Sequence, residues 1–284
     1  MIFDMNYSIV IPAKNEEQGL EAILPKLIKT DAVEIIVVDD ASTDGTHSVC
    51  EKFGVRVIKH SYSKGNGAAI KAGARAVSTD YILFMDADGQ HRPEDIELLI
   101  SKIEAGNDMA VGARGAESQA GLMRGFGNRF YNWFASKIVG HKIEDLTSGF
   151  RIVERSKFLQ FIHLLPNGFS YPTTITMAFF RAGYSVEYQS VSMPERMGAS
   201  HLNIYKDGIK FLLIIFKIGT LYSPLKIFFP LSLVHMFLGL FYYFYTFVTV
   251  GKFTNMGAVL LTTGVVIFLI GLVSEQISNL QYKS

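Results

Sequence analysis

The sequence has little cysteine, little tryptophan and almost no net charge. Cys50 is the single cysteine among 284 residues, and the formal charge is +1. A lone cysteine excludes an internal disulfide, and the amphipathic window around Cys50 predicts a small buried thiol. Because lysines and arginines are spread along the chain rather than gathered in a basic stripe, nucleic-acid binding is not expected. The N-terminus lacks a basic segment followed by a long apolar core, which predicts no signal peptide and a cytoplasmic N-terminal part.

Hydrophobic residues are abundant, at 49% of the chain, and the mean hydropathy is +0.24. The excess lies in the final third. Residues 227–251 and 253–274 carry no formally charged side chain and are separated by Lys252. At a rise of about 1.5 Å per residue, each segment is long enough to cross a hydrocarbon core of about 30 Å. The sequence therefore predicts a two-helix transmembrane hairpin, against the alternative of two buried core helices.

The segment before the hairpin has the pattern of a helix lying in a membrane interface. Lys206, Lys210 and Lys217 share one face of a helical wheel, with apolar residues mostly to one side. Lysines are concentrated before the first span, which predicts that the catalytic part and both termini are cytoplasmic. The expected domains are a catalytic domain at 1–202, amphipathic interfacial helices at 203–224, and the hairpin with a short tail at 225–284.

Short apolar runs alternate with segments of helical spacing through the first part of the chain. These runs are residues 7–12, 33–38, 55–58, 81–85 and 109–112. Strands that alternate with helices of about ten or more residues predict right-handed βαβ units and a mainly parallel sheet covered on both faces. A short strand near residue 151, a helix at about 173–181 and a strand at about 184–191 are expected to complete this part.

Two carboxylates follow directly after one of the apolar runs. Asp86 and Asp88 lie one residue apart at the end of the run 81–85, and residues 92–95 then open a helical pattern. At the carboxyl end of a strand in an open α/β sheet, alternate residues can direct oxygens at one hard divalent cation such as Mg²⁺ or Mn²⁺. The alternative is a solvated turn after a buried strand.

Six motifs occur in order, each at a loop where a parallel sheet places its ligands. They are residues 11–16, 37–46, 64–68, 85–91, 112–114 and 145–151. Together they resemble the family 2 inverting glycosyltransferases of the GT-A fold, and within them the dolichyl- or polyprenyl-phosphate sugar synthases. The resemblance extends from about residue 7 to residue 223. It implies an enzyme with an α/β, Rossmann-like GT-A domain, followed here by the interfacial helix and the hairpin.

The resemblance also implies roles for individual residues. Asp40 would accept a hydrogen bond from the nucleotide base, and Asp86, Asp88 and Gln90 would hold Mg²⁺ or Mn²⁺. Asp88 and Asp145 are expected to be catalytic, with Asp145 either a base or a group that orients Arg151 or caps a turn. The other residues expected to bind substrates are Pro12, Ala13, Asn15, Glu16, Val38, Lys64, Ala87, Arg114, Arg124, Arg129, Arg151, Arg196 and Ser200. Four arginines are candidates for the acceptor phosphate and donor diphosphate, because each offers a fork that matches phosphate oxygens, with a surface salt bridge as the alternative: Arg114, Arg124, Arg129 and Arg196.

Three departures from related sequences touch the donor and acceptor pockets rather than the metal site. Lys14 stands where a tyrosine is common, residues 200–202 read Ser-His-Leu in place of Ser-Lys-Leu, and residues 171–177 lack a frequent glutamate. These departures leave the identity of the sugar open.

The predicted reaction is metal-dependent, inverting transfer of a hexose from a GDP- or UDP-linked sugar to dolichyl or undecaprenyl phosphate at the cytoplasmic membrane face. A phosphate monoester is already anionic at neutral pH, so it can attack the sugar C1 without a strong base. The expected partners are the nucleotide sugar, the polyprenyl phosphate and the lipid bilayer, and a homo-oligomer is left open. The alternative is a hydroxyl acceptor in polysaccharide or glycolipid assembly.

Three other classes fit the sequence less well. A processive polysaccharide synthase would carry Gln-x-x-Arg-Trp before its spans, and Trp133 lies in no such motif. A sugar nucleotidylyltransferase would need a loop rich in glycine and arginine where residues 12–16 stand. A catalytically silent scaffold would be expected to have lost the Asp86 and Asp88 pair.

Overall fold

The computed structural model describes residues 5–114, 122–168, 170–192 and 222–281, with isolated positions between 213 and 220; for residues 122–128 and 281 it describes the backbone alone. The chain divides into two compact units. The first comprises Met1–Phe134 and His141–Ile204, and the second comprises Ala135–Gly140 and Tyr205–Ser284. The predicted interfacial helices at 203–224 lie almost entirely outside the described residues.

A twisted sheet forms the centre of the first unit. Its seven strands within the described residues, in spatial order β3-β2-β1-β4-β6-β5-β7, are β1 (Tyr7–Ala13), β2 (Glu34–Asp39), β3 (Arg56–Lys59), β4 (Tyr81–Phe84), β5 (Met109–Arg114), β6 (Arg151–Glu154) and β7 (Val186–Val191). Neighbouring strands are parallel except at β6, which is antiparallel to both β4 and β5. The predicted α/β fold with a mainly parallel sheet is confirmed.

Helices connect the strands along the chain. They are α1 (Glu17–Leu27), α2 (Thr46–Lys52), α3 (Asn66–Ala76), α4 (Ile96–Glu104), α5 (Leu122–Val139), α6 (Arg155–Gln160) and α7 (Tyr171–Arg181). In α1, the apolar residues at helical spacing, Leu20, Ile23, Leu24 and Leu27, are all buried. They join one core cluster with Ile9 and Ile11 of β1 and residues of β2 and β4. The amphipathic pattern of the sequence thus fixes which face of α1 covers the sheet.

The second unit contains two long apolar helices, α8 (Pro224–Val250) and α9 (Asn255–Gln281). Their mean hydropathies are 1.7 and 2.5, and only 11% and 17% of the most apolar stretches is buried, so both are long and apolar enough to cross a membrane. The Ser232 hydroxyl donates to the Gly264 carbonyl at 2.8 Å, and the Leu225 N–H donates to the Glu275 carboxylate at 3.1 Å. These two bonds tie α8 to α9 as the predicted hairpin.

The core of the first unit yields a stability prediction. Leu24→Ala removes a completely buried side chain and should lower the free energy of unfolding by about 2–5 kcal/mol. Ile28→Ala is the matched control because Ile28 is 49% exposed, and it should cost less than about 1 kcal/mol. Chemical unfolding of detergent-solubilised protein, followed by near-ultraviolet circular dichroism, measures both. Equal losses in the two variants would contradict the placement of α1 on the sheet.

Candidate active site

The carboxyl ends of β1, β2 and β4 meet at one edge of the sheet and open into a cleft of about 410 Å³. Parallel strands place their carboxyl ends together, so loops distant in sequence share this edge. The lining residues are Pro12, Ala13, Lys14, Glu16, Asp40, Ser63, Gly65, Asn66, Ala69, Asp86, Ala87 and Asp88. The cleft therefore gathers residues from four of the six motifs.

The turn that carries Asp86, Ala87 and Asp88 is held between two glycines. A Cβ atom on Gly19 of α1 would lie 2.0 Å from the Ala87 carbonyl oxygen, and one on Gly149 would lie 2.6 Å from Asp86 Oδ2. Both distances are too short for real atoms, but the first involves backbone and the second a side chain that could rotate. Glycine at 19 therefore allows α1 to approach the turn, and glycine at 149 allows the Asp86 carboxylate to keep its present position.

A buried histidine, His91, also supports this turn. The Asp86 N–H donates to His91 Nδ1 at 3.0 Å, and the imidazole stacks on Phe150 with ring centroids 5.0 Å apart. Since Nδ1 accepts this bond, the neutral ring carries its hydrogen on Nε2. Burial lowers the pKa of His91 to about 4, which keeps the ring neutral at physiological pH. His91 thus acts as a fixed acceptor.

Asp40, which follows β2, is buried and bound on both oxygens. Oδ1 accepts from His60 Nδ1 at 2.7 Å and from the Lys64 N–H at 2.8 Å; Oδ2 accepts from the Ser63 hydroxyl at 2.7 Å and from the Gly65 N–H at 2.9 Å. Burial alone would raise the pKa of Asp40, but these hydrogen bonds outweigh it and lower the pKa to about 2. The carboxylate is therefore ionised and organises the loop at 63–65.

Arg114 and Asp145 form a two-point ion pair. Arg114 Nε donates to Asp145 Oδ2 at 2.8 Å and Nη2 donates to Oδ1 at 3.2 Å. Thr147 adds its backbone N–H and its hydroxyl to Oδ1, at 3.1 and 3.0 Å. Burial would raise the pKa of Asp145, but the hydrogen bonds and charge of Arg114 hold it below its ordinary value. Asp145 is thus a weak base whose geometry orients Arg114.

Arg151 lies inside the protein rather than on the wall of the cleft. Its side chain is completely buried, and Nη1 donates to the Pro172 carbonyl at 3.1 Å and to Thr176 Oγ1 at 3.0 Å. Nη2 donates to the Ser148 carbonyl. The structure thus supplies protein acceptors where a substrate contact was predicted, because β6 runs through the centre of the sheet. The guanidinium joins the 145–149 loop to the start of α7.

The remaining predicted residues are distributed more widely. Asn15 accepts from the Thr43 N–H at 2.8 Å, Val38 is completely buried in β2, and Gln90 donates its N–H to Asp88 Oδ1 at 3.1 Å. Arg129 is exposed on α5, and the Lys64 ammonium lies over the Tyr62 ring, 5.5 Å from its centroid. The Arg124 side chain, Arg196 and Ser200 lie outside the described residues.

Several residues of this region were not predicted from the sequence. Ser63, Gly65, Asn66 and Ala69 line the cleft, and His60 lies behind it. Gly65 and Asn66 lie within the recognised motif at 64–68, and Ser63 and Ala69 flank it. The motif was therefore a sequence signal from which these four residues could have been predicted. His60 and Gly19 carry no such signal, because their contacts depend on how distant segments pack.

Asp86 and Asp88 are the candidate ligands for a divalent cation. Among the described residues no group of three His, Cys, Asp or Glu side chains has the arrangement of a metal site. The two aspartates nevertheless line one cleft with hard oxygens, and the absence of a side chain at Gly149 leaves room for the Asp86 carboxylate. Mg²⁺ commonly takes one or two protein carboxylates and completes its shell with substrate phosphates and water. The donor set fits a cation bound together with a diphosphate.

Comparison with known proteins gives matches over both units. The family described as Glycosyl transferase family 2 matches residues 8–161, and the GtrB C-terminal hairpin matches residues 223–280. The dolichol-phosphate mannosyltransferase of Pyrococcus furiosus is 32% identical over 187 residues, which cover 58% of this chain and 50% of that protein. The polyprenol monophosphomannose synthase of Mycolicibacterium smegmatis is 29% identical over 217 residues, which cover 69% of this chain and 80% of that protein. The chain thus spans half to four fifths of the length of these relatives.

A solved structure shows the same fold. Glucosyl-3-phosphoglycerate synthase from Mycobacterium tuberculosis, in complex with Mn²⁺, UDP and phosphoglyceric acid, superposes with a TM-score of 0.62. The sequences are 18% identical, and the match covers 76% of this chain and 78% of that chain. The family match extends over more than half of the chain and includes every strand of the sheet except β7. The protein is a glycosyltransferase, and its chain belongs to glycosyl transferase family 2.

Proposed function

We propose that this enzyme transfers a hexose from a nucleotide sugar to a polyprenyl phosphate, with inversion at the sugar C1 and with Mg²⁺ or Mn²⁺ bound. The relatives named for dolichol-phosphate and polyprenol-phosphate chemistry support this acceptor class. The cleft at the carboxyl ends of β1, β2 and β4 would bind the nucleotide sugar. The hairpin would keep the enzyme at the bilayer, where a polyprenyl chain is dissolved.

The observation that carries this proposal is the state of Asp145. Both of its oxygens are occupied by Arg114 and Thr147, and its pKa is lowered. A hydroxyl acceptor needs a base to remove its proton, and a carboxylate held in this way is poorly suited to that task. A phosphate monoester needs no such base. Asp145 therefore supports an acceptor that arrives already ionised, with Arg114 oriented to receive its charge.

The reaction would follow from these positions. An acceptor phosphate oxygen attacks C1 while the bond from C1 to the diphosphate oxygen breaks, and that electron pair leaves with the nucleoside diphosphate. Asp86 and Asp88 would hold the divalent cation, which supplies charge neutralisation for the departing diphosphate. Arg114 would bind one of the two phosphate-bearing substrates through its fork. His91 and Gly149 would keep Asp86 in place.

The orientation in the membrane is part of the same proposal. Lys226 lies at the start of α8, and Lys252 lies between α8 and α9. Together with the lysines of residues 203–217, this distribution favours a cytoplasmic location for the catalytic unit and the C-terminus. A nucleotide sugar made in the cytoplasm would then reach the cleft directly.

Product analysis tests the acceptor. Purified full-length protein with Mn²⁺, labelled UDP- and GDP-hexoses and undecaprenyl or dolichyl phosphate should form a lipid in which mass spectrometry finds hexose joined to the phosphate. Asp88→Asn should lower the rate by about 100-fold or more, because a charged ligand is lost while size is kept. EDTA should stop wild-type turnover. Transfer to a hydroxyl acceptor in place of the phosphate, or turnover indifferent to EDTA, would contradict the proposal.

The pH dependence of Asp145→Asn tests the absence of a base. The acceptor phosphate has a second pKa of about 6, so its dianion fraction, and with it kcat/KM for the lipid, should rise through pH 6 and then level off. The variant should lower kcat/KM by roughly 10- to 100-fold through the loss of a buried charged partner for Arg114. The rise near pH 6 should remain where it is. If the variant abolishes this pH dependence, Asp145 is the base.

Gly149→Ala tests the support of Asp86 without depending on turnover. The added Cβ would collide with the Asp86 carboxylate, which can rotate away, so the fold should survive while the metal ligand moves. Mn²⁺ affinity in the presence of a nucleoside diphosphate, measured by electron paramagnetic resonance, should fall by roughly 10- to 100-fold. Gly257→Ala is the control, since its Cβ would meet its neighbours at 3.7 Å or more. Unchanged Mn²⁺ affinity in Gly149→Ala would remove Asp86 from the metal site.

A further inference from the structure

The hydrogen bonds that Asp40 already makes restrict which hydrogen bonds it can accept from a nucleotide base. An ionised carboxylate offers about four acceptor positions, two on each oxygen. Donors within the described residues occupy all four positions: His60 and the Lys64 N–H bind Oδ1, and Ser63 and the Gly65 N–H bind Oδ2. A base can therefore bond to Asp40 only by displacing one of these donors.

Only one of the four donors is free to leave at low cost. Two are backbone N–H groups of a loop whose glycine at 65 has a φ of +98°, and His60 is a buried side chain, 6% exposed. The fourth donor is the hydroxyl of Ser63, an exposed residue that lines the cleft. A hydroxyl can rotate and turn from donor to acceptor without moving the backbone. Asp40 thus offers a ligand one acceptor position, on Oδ2.

Lys14 is linked to this acceptor position through Ser63. Lys14 Nζ donates to Ser63 Oγ at 2.9 Å, and the Ser63 hydroxyl in turn donates to Asp40. Lys14 and Ser63 both line the cleft. When Ser63 turns away from Asp40, the ammonium of Lys14 remains beside the vacated position as a strong donor. The base would therefore meet one acceptor and one neighbouring cationic donor.

Uracil and guanine differ in the hydrogen-bond donors that they would present to Asp40. Uracil presents one N–H, at N3, between two carbonyl oxygens. Guanine presents an N–H and an adjacent amino group, and one carboxylate satisfies both only when each of its oxygens accepts one of these donors. With Oδ1 filled by His60 and Lys64, guanine would leave its amino group without an acceptor on Asp40, and an unpaired buried polar group costs affinity.

We infer that the sugar donor of this enzyme is a uridine nucleotide, and that Lys14 and the Ser63–Asp40–His60 network determine this choice over guanosine. The inference rests on the proposed function in that it takes the cleft to bind a nucleotide sugar. In the bound state the uracil N3–H donates to Asp40 Oδ2, and Lys14 donates to a uracil carbonyl. The His60 ring, held behind Asp40, blocks the second acceptor position.

Affinities of nucleoside diphosphates test the inference on full-length protein with Mn²⁺ by calorimetry. UDP should bind at least roughly tenfold more tightly than GDP. Inosine diphosphate is the matched probe, because it keeps the purine ring and its N1–H but lacks the 2-amino group. It should bind several-fold more tightly than GDP. If GDP equals or exceeds UDP, or if inosine diphosphate gains nothing over GDP, the inference is overturned.

Lys14→Met tests the donor half of the network. It should weaken UDP binding by roughly tenfold and leave the binding of inorganic pyrophosphate, which has no base, within about twofold. Lys29→Met is the control, since Lys29 is an exposed lysine after α1 and away from the cleft lining, and it should change neither affinity. If Lys14→Met weakens pyrophosphate as much as UDP, the lysine serves the diphosphate and not the base.

Transfer assays separate this inference from the proposed function. Lipid product formed preferentially from a GDP-hexose would overturn the choice of uridine and leave transfer to polyprenyl phosphate intact. A preference for UDP with no product on any polyprenyl phosphate would overturn the acceptor and leave the choice of uridine intact.

Discussion

The close approach of backbone segments around Ala87 is the constraint on which the candidate site depends. The carbonyl of Ala87 lies where a side chain on Gly19 would begin, and the carboxylate of Asp86 lies where a side chain on Gly149 would begin. Helix α1 can approach the end of β4 only because residue 19 is glycine, and glycine at 149 leaves room for the Asp86 carboxylate in its present position. Through this convergence, the turn that carries Asp86 and Asp88 is held by packing against α1 and the 145–149 loop.

The antiparallel strand β6 explains how the two sides of the site are brought together. By inserting between β4 and β5, it delivers residues 145–149 to the same edge as Asp86. Backbone hydrogen bonds also join residues 67–68 to residues 167–168. The Gly67 N–H donates to the Gly168 carbonyl at 3.1 Å, and the Ala68 N–H donates to the Asn167 carbonyl at 2.9 Å. The first turn of α3 is thereby fastened to the segment that leads to α7.

The sequence predicted the strands of the βαβ part and the two aspartates well, because both depend on local patterns: apolar runs of strand length and acids at their ends. It could not place β6 between β4 and β5, since strand order is decided by which edges are free when the distant segments pack. For the same reason Arg151, predicted to bind substrate, proved to be completely buried. A motif identifies that an arginine matters, but whether it faces the cleft or the core depends on the alternation of the strand that carries it.

The charges at this edge of the sheet show why a cation is needed for the proposed reaction. Arg114 lies in the field of Asp145, Asp86 and Asp88, and these carboxylates raise its pKa against the effect of burial. One guanidinium is thus shared among three anions before any substrate arrives. A diphosphate and a phosphate monoester would add more negative charge, and repulsion between charges at short range is costly where water is scarce. A divalent cation held by Asp86 and Asp88 would offset the charge of those two carboxylates, and Arg114, paired with Asp145, would then be available to an incoming phosphate. In the proposed reaction the paired aspartates and the arginine would therefore depend on each other, because each would limit the repulsion that an anionic substrate meets.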